Sequence, residues 1–131
     1  MPRVKRVGHV GITVPDVPLA VDFYQSVLGL EVSDRSGGAA FLRCNEEHHC
    51  IALYPGESNG LHHLGLEVEG ERALYQAKQE LPSRGITIEV KHCDEPGHGP
   101  SLLCRDADGH LVELYMGMET CDEPLAPLPY R

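Results

Sequence analysis

Two stretches of the chain alternate apolar and polar positions with period two, the pattern of a half-buried strand. They are Val7-Gly8-His9-Val10-Gly11-Ile12-Thr13-Val14 and Leu61-His62-His63-Leu64-Gly65-Leu66-Glu67-Val68. His, Gly and the final Val recur at matching places, 54 residues apart. Behind each stretch the apolar spacing changes to three and four, which predicts an amphipathic helix. The first helix is expected from about Leu19 to Leu28, with Ala20, Phe23, Tyr24, Val27 and Leu28 on its buried stripe and Gly29 placed to end it. The second is expected from about Glu71 to Ser83, with Leu74, Ala77, Lys78 and Leu81 on one side. Pro82 should bring it to a close, and Gly85 matches Gly29. Three strands follow each helix, over 31–33, 39–44 and 50–54, then over 87–91, 101–105 and 111–116.

The chain therefore reads twice as strand, helix and three strands. This is an α+β arrangement of two βαβββ modules in one domain, one module over about 5–55 and the other over about 60–117. Pro55 to Gly60 has the composition of a connector. The tail over 118–131 contains Pro124, Pro127 and Pro129, which rules out a long helix or a central strand.

Alternation also sorts the faces. Val10, Ile12 and Val14, with Leu64, Leu66 and Val68, belong under the helices. His9 and His63 then point from equivalent strands onto the opposite face. Val112 and Leu114 correspond to Ile51 and Leu53 on the helix side, so Glu113 corresponds to Ala52, and Tyr115 to Tyr54. Glu113 thus lies within Leu111-Val112-Glu113-Leu114-Tyr115 and faces the histidines. An unpaired buried carboxylate is costly, and a divalent metal held by His9, His63 and Glu113 removes that cost. Two histidines and one carboxylate with open positions form a donor set suited to non-haem Fe(II), and Mn(II), Ni(II), Co(II) or Zn(II) accept the same donors.

Charge and composition narrow the partners. The 131 residues carry a formal charge of −9, which argues against a nucleic-acid backbone and an anionic membrane surface, and leaves a small molecule as the expected ligand. No apolar run approaches the roughly 20 residues of a membrane span. The basic start, Met1 to Arg6, is not followed by a long apolar segment, so no signal peptide is expected. The five cysteines, Cys44, Cys50, Cys93, Cys104 and Cys121, are irregularly spaced and are expected to be reduced thiols of a cytoplasmic protein.

Other histidines divide by context. His48 and His49 follow Glu46-Glu47 and are expected in an exposed loop. His62 should point away from His63. His110 sits in the turn Asp106 to His110 and should be solvated. His98, between Gly97 and Gly99, is expected as an exposed loop histidine, with acid–base work near neutral pH as its alternative role.

Together, His9-Val10-Gly11-Ile12, Phe23-Tyr24 with Leu28-Gly29-Leu30, His63-Leu64-Gly65-Leu66, and Arg105 to Leu114 resemble the vicinal-oxygen-chelate superfamily. That group includes glyoxalase I, bleomycin- and fosfomycin-resistance proteins, methylmalonyl-CoA epimerase and type I extradiol dioxygenases. The resemblance implies a curved, open mixed-sheet cup around a metal, and a homodimer. His9, His63 and Glu113 fall on its ligand positions. Ala52 falls where glyoxalase I and the epimerase carry a fourth ligand, which turns the reading away from those two. The intact triad turns it away from pure drug sequestration. An extradiol-type dioxygenase with Fe(II) is the leading expectation. The alternatives are a fosfomycin-resistance-like or glyoxalase-like metal enzyme, and then a binding or resistance protein without turnover. Leu103 stands where the extradiol enzymes carry a tyrosine. Tyr54, Ser101, Leu103 and Tyr115 are the expected substrate-pocket residues.

Overall fold

The computed structural model describes residues 1–91 and 95–126. Among them are eight strands and two helices: β1 Val4–Val14, α1 Val17–Ser26, β2 Glu31–Ser36, β3 Ala39–Arg43, β4 Ile51–Pro55, β5 Gly60–Val68, α2 Glu71–Ser83, β6 Glu89–Lys91, β7 Ser101–Arg105 and β8 Leu111–Tyr115. Every expected element forms, with ends moved by a few residues. β2 runs on to Ser36 because Gly37 and Gly38 adopt positive φ (58° and 84°) and close a two-residue hairpin into β3.

Local chemistry explains the helix limits. The Asp16 carboxylate accepts a hydrogen bond from the Leu19 amide at 3.0 Å and caps α1, with Pro18 in the first turn. Gly29, at φ 77°, ends the turn beyond, where the Leu30 amide donates back to the Tyr24 carbonyl. Gly85, at φ 79°, does the same after α2, and Pro82 sits in the last turn.

The strands form one mixed sheet in the order β2-β3-β4-β1-β5-β8-β7-β6. At its centre β1 and β5 pair antiparallel, while β1–β4 and β5–β8 are parallel. The order reads the same from either end, so the internal repeat becomes an approximate two-fold about the β1–β5 pair. The helices cover one face. Val17 and Val21 of α1 pack with Ala40, Leu42 and Leu53, flanked by Ala20 and Tyr24, whereas Phe23, Val27 and Leu28 of the expected buried stripe are exposed; Ala73 and Ala77 of α2 pack with Val68, Leu102 and Leu114. Ile12, Val14 and Leu66 join these clusters, as alternation requires.

The segment after β8 crosses the other half of the sheet. The His48 amide donates to the Glu119 carbonyl (2.7 Å), the Cys121 amide to the Glu46 carbonyl (2.6 Å), and the Glu119 amide to the Gly97 carbonyl (2.7 Å). Arg43, 6 % exposed, donates to the Glu123 carbonyl at 2.9 Å and pairs with Glu31 at 3.2 Å. The tail up to Ala126 therefore straps the loop after β3 to the loop before β7. Pro127 and Pro129, like Cys93, lie outside the described residues. Cys44, Cys50, Cys104 and Cys121 are free thiols. Among the described residues no helix is long and apolar enough to cross a membrane.

Candidate metal centre

The face away from the helices carries a buried polar cluster. His9 on β1, His63 on β5 and Glu113 on β8 are exposed by 1 %, 3 % and 2 %. Their ligand-capable atoms converge. His9 Nε2 lies 3.1 Å from His63 Nε2 and 3.0 Å from Glu113 Oε1, and His63 Nε2 lies 3.4 Å from Glu113 Oε1. Glu95, from the loop before β7, adds a second carboxylate, with Oε2 3.7 Å from His9 Nε2 and 3.6 Å from His63 Nε2.

The recurring glycines explain how two imidazoles share one spot. His9 pairs across the strands with Gly65, and His63 with Gly11. A Cβ on Gly65 would meet the His9 ring at 2.3 Å, and one on Gly11 would meet the His63 ring at 2.5 Å. Each ring therefore lies over the other strand's glycine. The repeated His-x-Gly spacing is the imprint of this mutual crossing.

Partners around the cluster set orientation. Ser101 Oγ donates to Glu113 Oε2 at 2.6 Å. Tyr54 Oη donates to Glu95 Oε1 at 3.1 Å, and burial holds that phenol well above its ordinary range, so it remains a donor. Tyr115, also raised chiefly by burial, packs against the His9 ring at 4.8 Å. His98 Nδ1 donates to the Gly99 carbonyl at 3.0 Å, and Nε2 lies 3.2 Å from Glu95 Oε2 and 3.6 Å from Glu113 Oε1. Burial lowers the His98 pKa, but hydrogen bonds to Glu113 and Glu95 outweigh it and push it up to about 10. Burial lowers His63 to about 4, which leaves a neutral imidazole at pH 7. Burial raises Glu113, but hydrogen bonds from His9 and His98 hold it at about 2. Glu95 is likewise held down against burial by His49 and His98.

Three expectations need correction. His98 is buried, not exposed, because Glu95 and Glu113 hold it in the cluster. His49 is 1 % exposed and His48 is half-buried, because the tail clamps their loop inward. His49 Nε2 reaches 3.2 Å from Glu95 Oε1, and burial is the main cause of its lowered pKa. His62 does not point away from His63. The β1–β5 register passes from Gly11↔His63 to Ile12↔Leu61, so His62 sits in a bulge. Its Nδ1 lies 2.8 Å from His63 Nδ1, and its ring stacks on Tyr54 at 4.0 Å.

Of the sequence-derived residues, His9, His63, Glu113, His98, Ser101, Tyr54 and Tyr115 come together. Leu103 stands opposite Glu113 in register and also borders an outer cavity of about 450 Å³ with Glu89, Cys104 and Leu111. His110 is exposed as expected, and Asp106 is occupied in capping its turn. Sequence reasoning missed Glu95 and His49. Both lie in irregular loops where no periodicity assigns a face, and the only signal was the local crowding of His and acidic residues.

The donor set fits a divalent cation. Ligand atoms about 2.1 Å from one ion lie about 3.0 Å apart at right angles and about 3.4 Å apart at tetrahedral angles, which brackets the His9, His63 and Glu113 separations. The donor atoms of His9, His63, Glu95 and Glu113 all lie within 4.8 Å of one another. The buried carboxylates of Glu95 and Glu113, beside the neutral imidazole of His63, suit a cation at their centre.

Residues 6–114 match the model of the Glyoxalase/Bleomycin resistance protein/Dioxygenase superfamily. The chain belongs to that superfamily. Among superfamily relatives, it is 32 % identical over 128 residues to biphenyl-2,3-diol 1,2-dioxygenase of Pseudomonas sp. (strain KKS102), covering 95 % of this chain and 44 % of that one. It is 27 % identical over 121 residues to glutathione transferase FosA of Serratia marcescens, covering 87 % and 82 %. Homoprotocatechuate 2,3-dioxygenase from Brevibacterium fuscum, solved in complex with 3,4-dihydroxyphenylacetate, superposes with a TM-score of 0.85 at 26 % identity, covering 95 % and 40 %. The chain spans less than half the length of the curated dioxygenases it matches first. The mixed eight-stranded sheet with two helices is the vicinal-oxygen-chelate fold of the extradiol dioxygenases.

Proposed function

We propose that this chain carries the metal site of an extradiol-type dioxygenase, with Fe(II) held by His9, His63 and Glu113 and a catechol-like diol as substrate. The supporting observation is the convergence of these three donors, the two histidines from matching positions of the repeat, to within 3.4 Å. Two histidines and one carboxylate suit Fe(II), although Mn(II), Ni(II), Co(II) and Zn(II) share those donors. Bound there, Fe(II) supplies the redox centre through which a diol and dioxygen exchange electrons.

The chain's own groups do the rest. Ser101 fixes the outer oxygen of Glu113, and His62 meets the outer nitrogen of His63, so both donors are oriented from behind. A chelating diol must shed hydroxyl protons: His49, whose pKa burial lowers, presents Nε2 3.2 Å from Glu95 Oε1 and can take one, whereas His98, held protonated by Glu113 and Glu95, can only give one back. In this reading Tyr54, Tyr115 and Leu103, on the strand face that carries the donors, would border a bound substrate ring. A homodimeric cytoplasmic enzyme completes this reading.

The relationship to FosA supports a second reading, metal-assisted addition of a thiol to an electrophile. The carboxylate pair at the centre favours a neutral diol over a phosphonate.

Protein purified anaerobically should contain about one Fe per chain and consume dioxygen with catechol, and Glu113→Ala should lose both. Turnover without dioxygen, with glutathione and an epoxide, would establish the second reading instead. Equal metal in the wild type and Glu113→Ala would refute the triad.

A further inference from the structure

We propose that Glu95 is a fourth protein ligand to the metal, delivered by the loop before β7 and not by a strand. This rests on the His9–His63–Glu113 site proposed above. Glu95 is 7 % exposed although Pro96 and Gly97 follow it, so burial of its carboxylate has to be compensated. One oxygen is fixed from behind, by Tyr54 Oη at 3.1 Å and beside His49 Nε2 at 3.2 Å. The other oxygen, Oε2, lies 3.2 Å from His98 Nε2 and also faces the histidine pair, 3.6 Å and 3.7 Å from the two Nε2 atoms. Glu113 Oε1 lies nearer the same two atoms, at 3.0 Å and 3.4 Å.

The repeat shows why a loop is needed. Gly11↔Ala52 is the counterpart of Gly65↔Glu113, so strand β4 offers a methyl where β8 offers a carboxylate. Ala52 is fully buried beside Phe41 and Ala39 and has no donor atom. Glu95 supplies the second carboxylate from elsewhere. A second carboxylate offsets more of a divalent ion's charge than Glu113 alone can.

With Glu95 bound, a metal held by these residues would offer one open position fewer to small-molecule reactants than the triad alone would leave.

The test is anaerobic Co(II) titration of the full chain, read by affinity against a chelating dye and by the visible d–d absorption of bound Co(II). Glu95→Gln should bind Co(II) at least about tenfold more weakly and show altered absorption, because water replaces a carboxylate. Glu113→Gln is the control. Unchanged absorption in Glu95→Gln, with or without weaker binding, places Glu95 outside the coordination sphere and overturns the proposal. If Glu95→Gln does not fold, Glu95→Asp serves, since it draws the oxygen back by one methylene; altered absorption is expected and unchanged absorption again refutes it. Loss of Co(II) binding in Glu113→Gln with a wild-type spectrum in Glu95→Gln would defeat this inference alone. Wild-type binding in both variants would defeat the underlying triad as well.

Discussion

At the scale of single residues, the cluster is governed by what the glycines leave out. Gly11 and Gly65 lend no stability of their own, yet the His63 and His9 rings occupy the space their side chains would fill. Gly65→Ala and Gly11→Ala are therefore expected to push an imidazole out of the centre. Metal content should fall at least about tenfold, with a stability loss of about 1–3 kcal/mol from overpacking; elemental analysis and thermal melting measure the two. A second prediction concerns Glu67, which shares the His63 face of β5 but sits at its far end. Burial pushes its pKa up, but the Arg6 hydrogen bond (2.8 Å) and charge, joined by Lys5, outweigh burial and bring it below the usual 4.5. A lowered carboxylate pKa stabilises the fold above the unfolded value, and that stability is lost as pH falls through the folded one. Because Arg6 is half exposed, the contribution is about 1 kcal/mol. Glu67→Gln should melt below the wild type at pH 7, and the difference should vanish as the pH drops well under 4.5. A gap that persists in acid would show that packing, and not charge, is responsible.

At the scale of elements, strand alternation carried most of the reading and failed where the ladder is irregular. It placed His9, His63 and Glu113 on one face from the sequence, and the register agrees. It mistook His62 because the bulge in β5 cancels one step of the alternation, which no local pattern announced. The bulge has a use. For His63 Nε2 to face a metal its Nδ1 must carry the proton, and His62 Nδ1 lies 2.8 Å away to accept it. His62→Phe retains a ring to stack on Tyr54 but removes that acceptor. It should weaken metal binding about 10–100-fold while leaving the melting temperature nearly unchanged, as chelator competition and calorimetry would measure. Wild-type affinity in His62→Phe would mean that the bulge serves the Tyr54 stack alone.

At the scale of the whole molecule, the tail decides what is buried. Two backbone hydrogen bonds and Arg43 bind it across the loop after β3, and that clamp turns His49 inward. Removing the Arg43 head leaves Glu31 with one fewer partner, so Arg43→Met should cost about 2–4 kcal/mol. It should also speed amide hydrogen exchange at His48 and Cys121, measurable by mass spectrometry, while amides of β1 and β5 keep their protection. The amino-acid sequence by itself determined the repeated βαβββ order, the helix-covered face and the face shared by His9, His63 and Glu113. These follow from periodicity, caps and turn glycines, which act between residues close in the chain. Only the tertiary structure decided the places of Glu95, His49 and His62. Those depend on loops, a bulge and a strap, whose contacts join residues tens of positions apart and leave no periodic trace in the sequence.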